Sequence, residues 1–190
     1  MKKIDLTNVQ ESTEGKSLVA GAYVCRYLHV EDKPDKEYLY MEYDIAEGEF
    51  KDYWKNTKER LNADWWGGKV YRSYKPKAQP MFKRMCSAVS KSNGSFVFDG
   101  STNPDEKTLE GKLVGLVIGM EEYMSNSGDV KQRPYVAREC SVEDARSGKM
   151  KIPALKKLKD DDVASTTSAT ESTDFFNVSP AGLNIEVPFN

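Results

Sequence analysis

Glu37-Tyr38-Leu39-Tyr40-Met41-Glu42-Tyr43-Asp44-Ile45 is the stretch whose pattern decides the fold. Side chains on a strand alternate between its two faces. The alternation puts Leu39, Met41, Tyr43 and Ile45 on one face and Tyr38, Tyr40, Glu42 and Asp44 on the other. The first set is expected in the core of a β protein. The second leaves the Tyr38 and Tyr40 rings pointing outward, where packing gives them less reason to be. Upstream, Val24-Cys25-Arg26-Tyr27-Leu28-His29-Val30 reads as another strand, apolar at its even positions except for Arg26. Glu31-Asp32-Lys33-Pro34-Asp35 between them carries the proline and acids of a turn. The two strands therefore form a hairpin.

Downstream, Gly48 marks a break, after which Glu49–Lys55 is expected to resume as strand. Asn56–Gly68 reads as a loop ending in Trp65-Trp66-Gly67-Gly68, and Lys69–Tyr74 alternates weakly. Pro80 can open a helix, where no N–H is needed, with Met81, Phe82, Met85, Ala88 and Val89 as its apolar stripe and Asn93-Gly94 as its stop. Ser95–Phe98 is a short β run. Leu113–Met120 is the most continuous apolar run, and its Gly115 and Gly119 suggest strong bending, as at the corner of a small barrel. Lys131–Val142 is its partner strand, with Val136, Cys140 and Val142 facing one way and Arg138 among them; a helical turn follows over Ser141–Arg146. About five strands around one inserted helix make a sandwich or a five-stranded barrel. From Asp160 the chain turns to Asp, Ser, Thr and Ala, too polar to offset its ordering entropy, and is expected to be disordered. The expected layout is a flexible arm over 1–18, one domain over 19–152 and an acidic tail with an apolar tip over 153–190.

The 190 residues carry a net charge of −2, but unevenly. Residues 1–50 hold −5, residues 51–91 hold +8, residues 92–159 hold +1 and residues 160–190 hold −6. The central block also contains all three tryptophans, Trp54, Trp65 and Trp66, with Tyr53, Tyr71, Tyr74 and Phe82. Flat rings give bases a surface to stack on, and interleaved cations neutralise the phosphates between them. The plainer alternative is a basic surface loop whose aromatics belong to the core. Adjacent Trp65 and Trp66 in a loop cannot easily both point inward, which favours a ligand for one of them.

No nucleotide-binding glycine loop, nucleophile elbow or zinc-protease motif is present. His29, the one histidine, lies in a strand and reads as structural. Cys25, Cys86 and Cys140 are too far apart for a zinc site and read as buried free thiols of a reducing compartment. The acids from Glu31 to Glu49 read as a solvated face rather than a metal site. No catalytic site, cofactor or metal is expected. No run approaches the roughly 20 apolar residues of a membrane span, and no signal peptide is visible, so the expected location is the cytoplasm.

The C-terminus, Ile185-Glu186-Val187-Pro188-Phe189, resembles the tail of bacterial and phage single-stranded-DNA-binding proteins, in which an acidic tract leads to an Asp-Ile-Pro-Phe-like tip that docks on replication and repair partners. It departs from that pattern in ending on Asn190 and in carrying most of its acids back at Asp160–Asp162. The body, through Lys3-Ile4-Asp5-Leu6-Thr7-Asn8-Val9, Val19-Ala20-Gly21-Ala22-Tyr23-Val24-Cys25, Glu37 to Gly48, Arg72-Ser73-Tyr74-Lys75 and Leu113-Val114-Gly115-Leu116-Val117, looks like a family of small replication-module proteins from phages of Gram-positive bacteria. That resemblance implies single-stranded-DNA binding on an oligonucleotide-binding (OB) fold.

The expectation is thus a mainly β protein: a five-stranded OB-like barrel with one inserted α-helix and a disordered acidic tail. It binds single-stranded DNA with little sequence specificity through Tyr38, Tyr40, Trp54, Lys55, Lys58, Arg60, Trp65, Trp66, Lys69, Tyr71, Arg72, Tyr74, Lys75 and Lys77. At least two rings among Trp54, Trp65, Trp66, Tyr38 and Tyr40 are expected to stack on bases. Ile185, Val187, Pro188 and Phe189 are expected to recruit replication or recombination proteins, and homo-oligomers are possible. The rival is a phage protein that binds and inhibits a host protein, since Trp, Tyr and Arg also make interface hot spots.

Overall fold

The alternating stretch is a strand, β2 (Tyr38–Ile45), and the hairpin before it is formed with β1 (Gly21–Lys33) across a 3-10 turn at Pro34–Lys36. The computed structural model describes residues 15–102 and 104–158. Leu39, Met41, Tyr43 and Ile45 are buried, as the period requires. β3 (Lys69–Ser73) pairs with the free edge of β2. β4 (Leu113–Met124) pairs with the other edge of β1, and β5 (Val130–Cys140) pairs with β4. All pairings are antiparallel, giving one sheet in the order β3-β2-β1-β4-β5.

The sheet is not closed into a barrel: no ladder joins β3 to β5 among the described residues. β3 spans five residues and ends just ahead of Pro76, so it offers little edge for pairing. The two edges are instead tied by side chains. Arg72 on β3 donates from Nε to Glu139 Oε1 on β5 at 2.5 Å, and both residues are buried. The helix α2 (Gln79–Ser92) contacts β3, β4 and β5 and contributes Met85, Cys86, Ala88 and Val89 to the main core. Its stripe matches the sequence reading except at Met81, which is exposed.

Three segments depart from the sequence expectation. Residues 49–55 do not resume as strand: the chain turns at Gly48 and Asp52, both at positive φ, and enters α1 (Tyr53–Leu61). Asp52 supplies no side-chain cap. The Asp44 carboxylate does so from the end of β2, accepting the N–H groups of Trp54 at 2.9 Å and Lys55 at 3.0 Å. Asp44 is therefore buried rather than solvent-facing, and that burial raises its pKa against the pull of its backbone donors. Residues 95–98 form no strand, although Phe98 is buried beside α2. On β5 a bulge leaves Ala137 without a partner on β4, so the face predicted to hold Val136 with Arg138 and Cys140 is split. Val136 and Glu139 turn toward the main core, while Cys140 joins a smaller one with Val24, Val117, Val142 and Ala145. The last two belong to α3 (Val142–Arg146), the expected helical turn.

Gly115 and Gly119 serve close approach rather than a barrel corner. A Cβ on Gly115 would lie 2.5 Å from the Ser141 carbonyl oxygen, and one on Gly119 would lie 2.7 Å from the Tyr135 ring and 2.8 Å from Pro153. Pro153 marks a further difference. The chain does not leave the domain at 152 but runs on along β4, where Lys156 N–H donates to Met120 O and Glu122 N–H donates to Lys156 O. At the other end, Leu18 is buried and its N–H donates to the Tyr53 hydroxyl, so the arm is packed by that point. The expected tail from Lys159 on, with Ile185, Val187, Pro188 and Phe189, lies outside the described residues. Among the described residues no helix is long and apolar enough to cross a membrane.

Candidate nucleic-acid interface

The outward positions of β1, β2 and β3 fall into register. Tyr38 is opposite Ser73, Tyr40 is opposite Tyr71, and Glu42 is opposite Lys69. On the other side Lys33, Glu31 and His29 face Tyr38, Tyr40 and Glu42 in turn. Tyr71 thus stands directly across from Tyr40 and diagonal to Tyr38, the geometry in which cross-strand rings meet. Its ring centroid is 5.4 Å from that of Tyr40 and 5.6 Å from that of Tyr38. His29 extends the row, 6.4 Å from Tyr40. The result is a ladder of rings on the sheet's outer face, with the three tyrosines half-buried.

A bulge in β1 widens this surface. The register with β2 shifts between Tyr27 and His29, and the extra residue is Leu28. Tyr27 and Val30 are buried, whereas Leu28 and His29 are both exposed. Two consecutive side chains therefore face solvent beside the tyrosines, which an uninterrupted strand would not allow. His29 Nδ1 lies 3.4 Å from Glu110 Oε1.

The phenols are held by their surroundings. Tyr40 donates to Glu42 Oε1 at 2.5 Å. Burial first, and that hydrogen bond second, drive the Tyr40 pKa far up. Burial, with Tyr38 and Glu42 nearby, also raises that of Tyr71. Both rings remain neutral donors well above physiological pH, and fixed rings lose little entropy on stacking.

Cations bracket the ladder along the strand direction. Lys69 sits at its Glu42 end, and α1 begins just beyond, capped by the next outward residue, Asp44. α1 carries Lys55 and Arg60 exposed and Lys58 half-buried. Lys75 and Lys77 follow Ser73 at the opposite end, half-buried and exposed respectively. Lys55, Lys58, Arg60, Lys69 and Lys77 form no ion pair with a described carboxylate, while Lys33 is paired with Glu31.

Other expected site residues lie elsewhere. Trp54 is a core residue, 8% exposed, its ring 4.9 Å from Tyr53 and 6.5 Å from Tyr43. Gly67 and Gly68 lie flat against its indole: a Cβ on either would come within 2.4 Å of the ring. Trp66 packs on the core and donates from Nε1 to Tyr43 O at 2.9 Å. Trp65 is half-buried beside Gly67. Arg72 is committed to Glu139 and cannot reach a phosphate. Tyr74 lies 5.8 Å from Phe82 and donates to Asp32 at 2.9 Å, and burial with that bond pushes its pKa up to about 12. Tyr38, Tyr40 and Tyr71 are thus the expected rings that the fold brings together on one face.

Among the described residues no group of three or more His, Cys, Asp or Glu side chains is placed to hold a metal ion. Cys25, Cys86 and Cys140 are buried and unpaired, and burial raises the pKa of each thiol. No known family model matches the chain, and no curated protein is similar enough to count as a relative.

Proposed function

We propose that this protein binds single-stranded DNA across the outer face of β1, β2 and β3, stacking bases on Tyr38, Tyr71 and Tyr40 and neutralising phosphates with the flanking lysines and arginine. The observation that carries the proposal is the contact ladder of three tyrosines on a sheet face that the core does not need. Base–aromatic stacking is worth about 1–3 kcal/mol per base and tolerates any sequence. The connectivity supports the same reading. Order β3-β2-β1-β4-β5 with a helix between β3 and β4 is what an OB fold gives when opened at the β3–β5 seam. In that fold the face of strands 2 and 3 receives oligonucleotides. The proposal extends to a phage replication protein working in the host cytoplasm, whose C-terminal residues Ile185, Val187, Pro188 and Phe189 recruit replication or recombination partners.

The test is fluorescence anisotropy with labelled oligo(dT) at two salt concentrations, on the parent, Tyr38→Ala and Tyr71→Ala. Each variant is expected to weaken binding by about 1–3 kcal/mol while keeping its circular dichroism. The slope of log K against log salt is expected to reflect about 0.7 per phosphate contacted. Folded variants that bind like the parent, or binding without salt dependence, would overturn the proposal.

A further inference from the structure

The ladder contains a carboxylate that general strand binding does not call for. Glu42 follows Tyr40 on the same outward row and stands between His29 on β1 and Lys69 on β3. Tyr40 donates to its Oε1 at 2.5 Å, which fixes the side chain against the ring surface. No described residue donates to Oε2. The neighbouring Glu31 differs, being paired with Lys33.

A carboxylate at neutral pH offers acceptors and no donor. Placed beside stacked bases it repels phosphates and the carbonyl edges of bases, and attracts N–H groups. Unpaired bases expose their Watson–Crick edges to such contacts. Cytosine, adenine and guanine present an exocyclic amino group there, and a glutamate accepting from cytosine N4 is a standard pairing. Thymine presents only an imino N–H between two carbonyl oxygens, which face the carboxylate unfavourably. Lys69 stands directly opposite Glu42 on β3.

We infer that Glu42, oriented by Tyr40, is a specificity-determining residue that makes the tyrosine platform favour amino-bearing bases, cytosine, adenine or guanine, over thymine. This inference rests on the platform being the single-strand site. Glu42 Oε2 accepts a hydrogen bond from the exocyclic amino group of a base stacked on Tyr40 or Tyr71. Tyr40 is then both a stacking surface and a positioning residue for the carboxylate.

The experiment compares oligo(dC) with oligo(dT), at one length and one salt concentration, on the parent, Glu42→Gln and Tyr40→Phe. The parent is expected to bind oligo(dC) at least about fivefold tighter, as a contact of about 1 kcal/mol or more implies. In Glu42→Gln the amide oxygen still accepts from Tyr40 and the amide nitrogen turns outward as a donor. The preference should therefore shift toward oligo(dT), whose carbonyl oxygens now find a partner. Mere loss of a negative charge would tighten both oligonucleotides alike. Tyr40→Phe keeps the ring and releases the carboxylate, so the ratio of oligo(dC) to oligo(dT) affinity should fall toward one. Parent binding that is equal for the two oligonucleotides overturns this inference and leaves the site standing. A preference that survives unchanged in Glu42→Gln also overturns it. If neither oligonucleotide binds, the single-strand site itself falls, and the inference with it.

Discussion

Replacing Arg72 with Met probes how the open sheet is held and whether Arg72 touches DNA. Arg72 and Glu139 are 8% and 2% exposed, and their 2.5 Å contact spans the two unladdered edges, β3 and β5. Removing the guanidinium strands a buried carboxylate, which typically costs about 3–5 kcal/mol. That is a large share of the roughly 5–15 kcal/mol that stabilises a domain. The pair itself is incompletely satisfied: Arg72 Nη2, Glu139 Oε2 and the Tyr27 hydroxyl have no hydrogen-bond partner among the described residues. An apolar pair of similar volume removes Arg72 Nη2 and Glu139 Oε2 together with the desolvation of both charges, and leaves the Tyr27 hydroxyl as it is. Arg72→Met/Glu139→Leu is therefore expected to lie within about 1 kcal/mol of the parent or above it, and so about 3 kcal/mol above Arg72→Met alone. Urea denaturation followed by tryptophan fluorescence measures all three. A loss below about 1 kcal/mol in Arg72→Met, or a double variant as unstable as the single, would refute the assignment of Arg72 to the seam. In DNA binding, the double variant should keep the parent's salt slope, because Arg72 faces the core. A reduced slope would show that it reaches phosphate after all.

Gly68→Ala should be destabilising by about 1–3 kcal/mol through overpacking, since its Cβ would sit 2.2 Å from the Tyr43 carbonyl oxygen and 2.4 Å from the Trp54 ring. Gly48→Ala, at φ +82 with open space around it, should lose only about 1 kcal/mol from backbone strain; equal losses in denaturant would contradict the packing of Gly68 on Trp54. Spectrophotometric titration should show delayed phenols, because Tyr74 is raised to about 12 and Tyr40 and Tyr71 are raised too. Their folded pKa values exceed the ordinary 10, so the unfolded chain loses these protons first. The stabilising contribution is complete below pH 10 and is lost as the pH climbs through about 12. All ten tyrosines titrating together near 10 in a folded protein would count against the packed ladder.

The sheet was legible wherever burial imposed a pattern. Leu39, Met41, Tyr43 and Ile45 alternate because one face of β2 meets the core, and the period alone finds them. α1 escaped because its cap is tertiary: Asp44 lies ten residues before Trp54, so no local capping signal marks the helix start. Arg72 shares its face with Val70, and strict alternation would have turned both inward. Its positive charge argued the other way, and only the buried Glu139 reconciles the two. Glu139 in turn was hidden by the bulge at Ala137, which reverses the facing of β5 partway along. Such bulges leave little trace in composition, and the one at Leu28 likewise concealed the exposure of Leu28 and the burial of Tyr27.

The tryptophans show why aromatic, basic composition is a poor locator and a strand period a good one. Trp54, Trp65 and Trp66 dominated the central block by ring area, yet a ring that can stack on a base can equally cap a core. The Gly67-Gly68 pair was the local clue, since two residues without Cβ make room for a plane, and the plane is Trp54. Tyr38 and Tyr40 carried the opposite signal. Their positions alternate with a buried set, so the fold had already assigned them to the outside before any ligand was considered. A ring placed outside by the period, and not drawn back in by packing, is informative because nothing in the core explains it. Tyr71 gains its meaning only from register, which sets it opposite Tyr40 and turns separate rings into a surface about two strands wide. That surface, with lysines beyond each end and one oriented carboxylate within it, is where binding and its selectivity are to be sought.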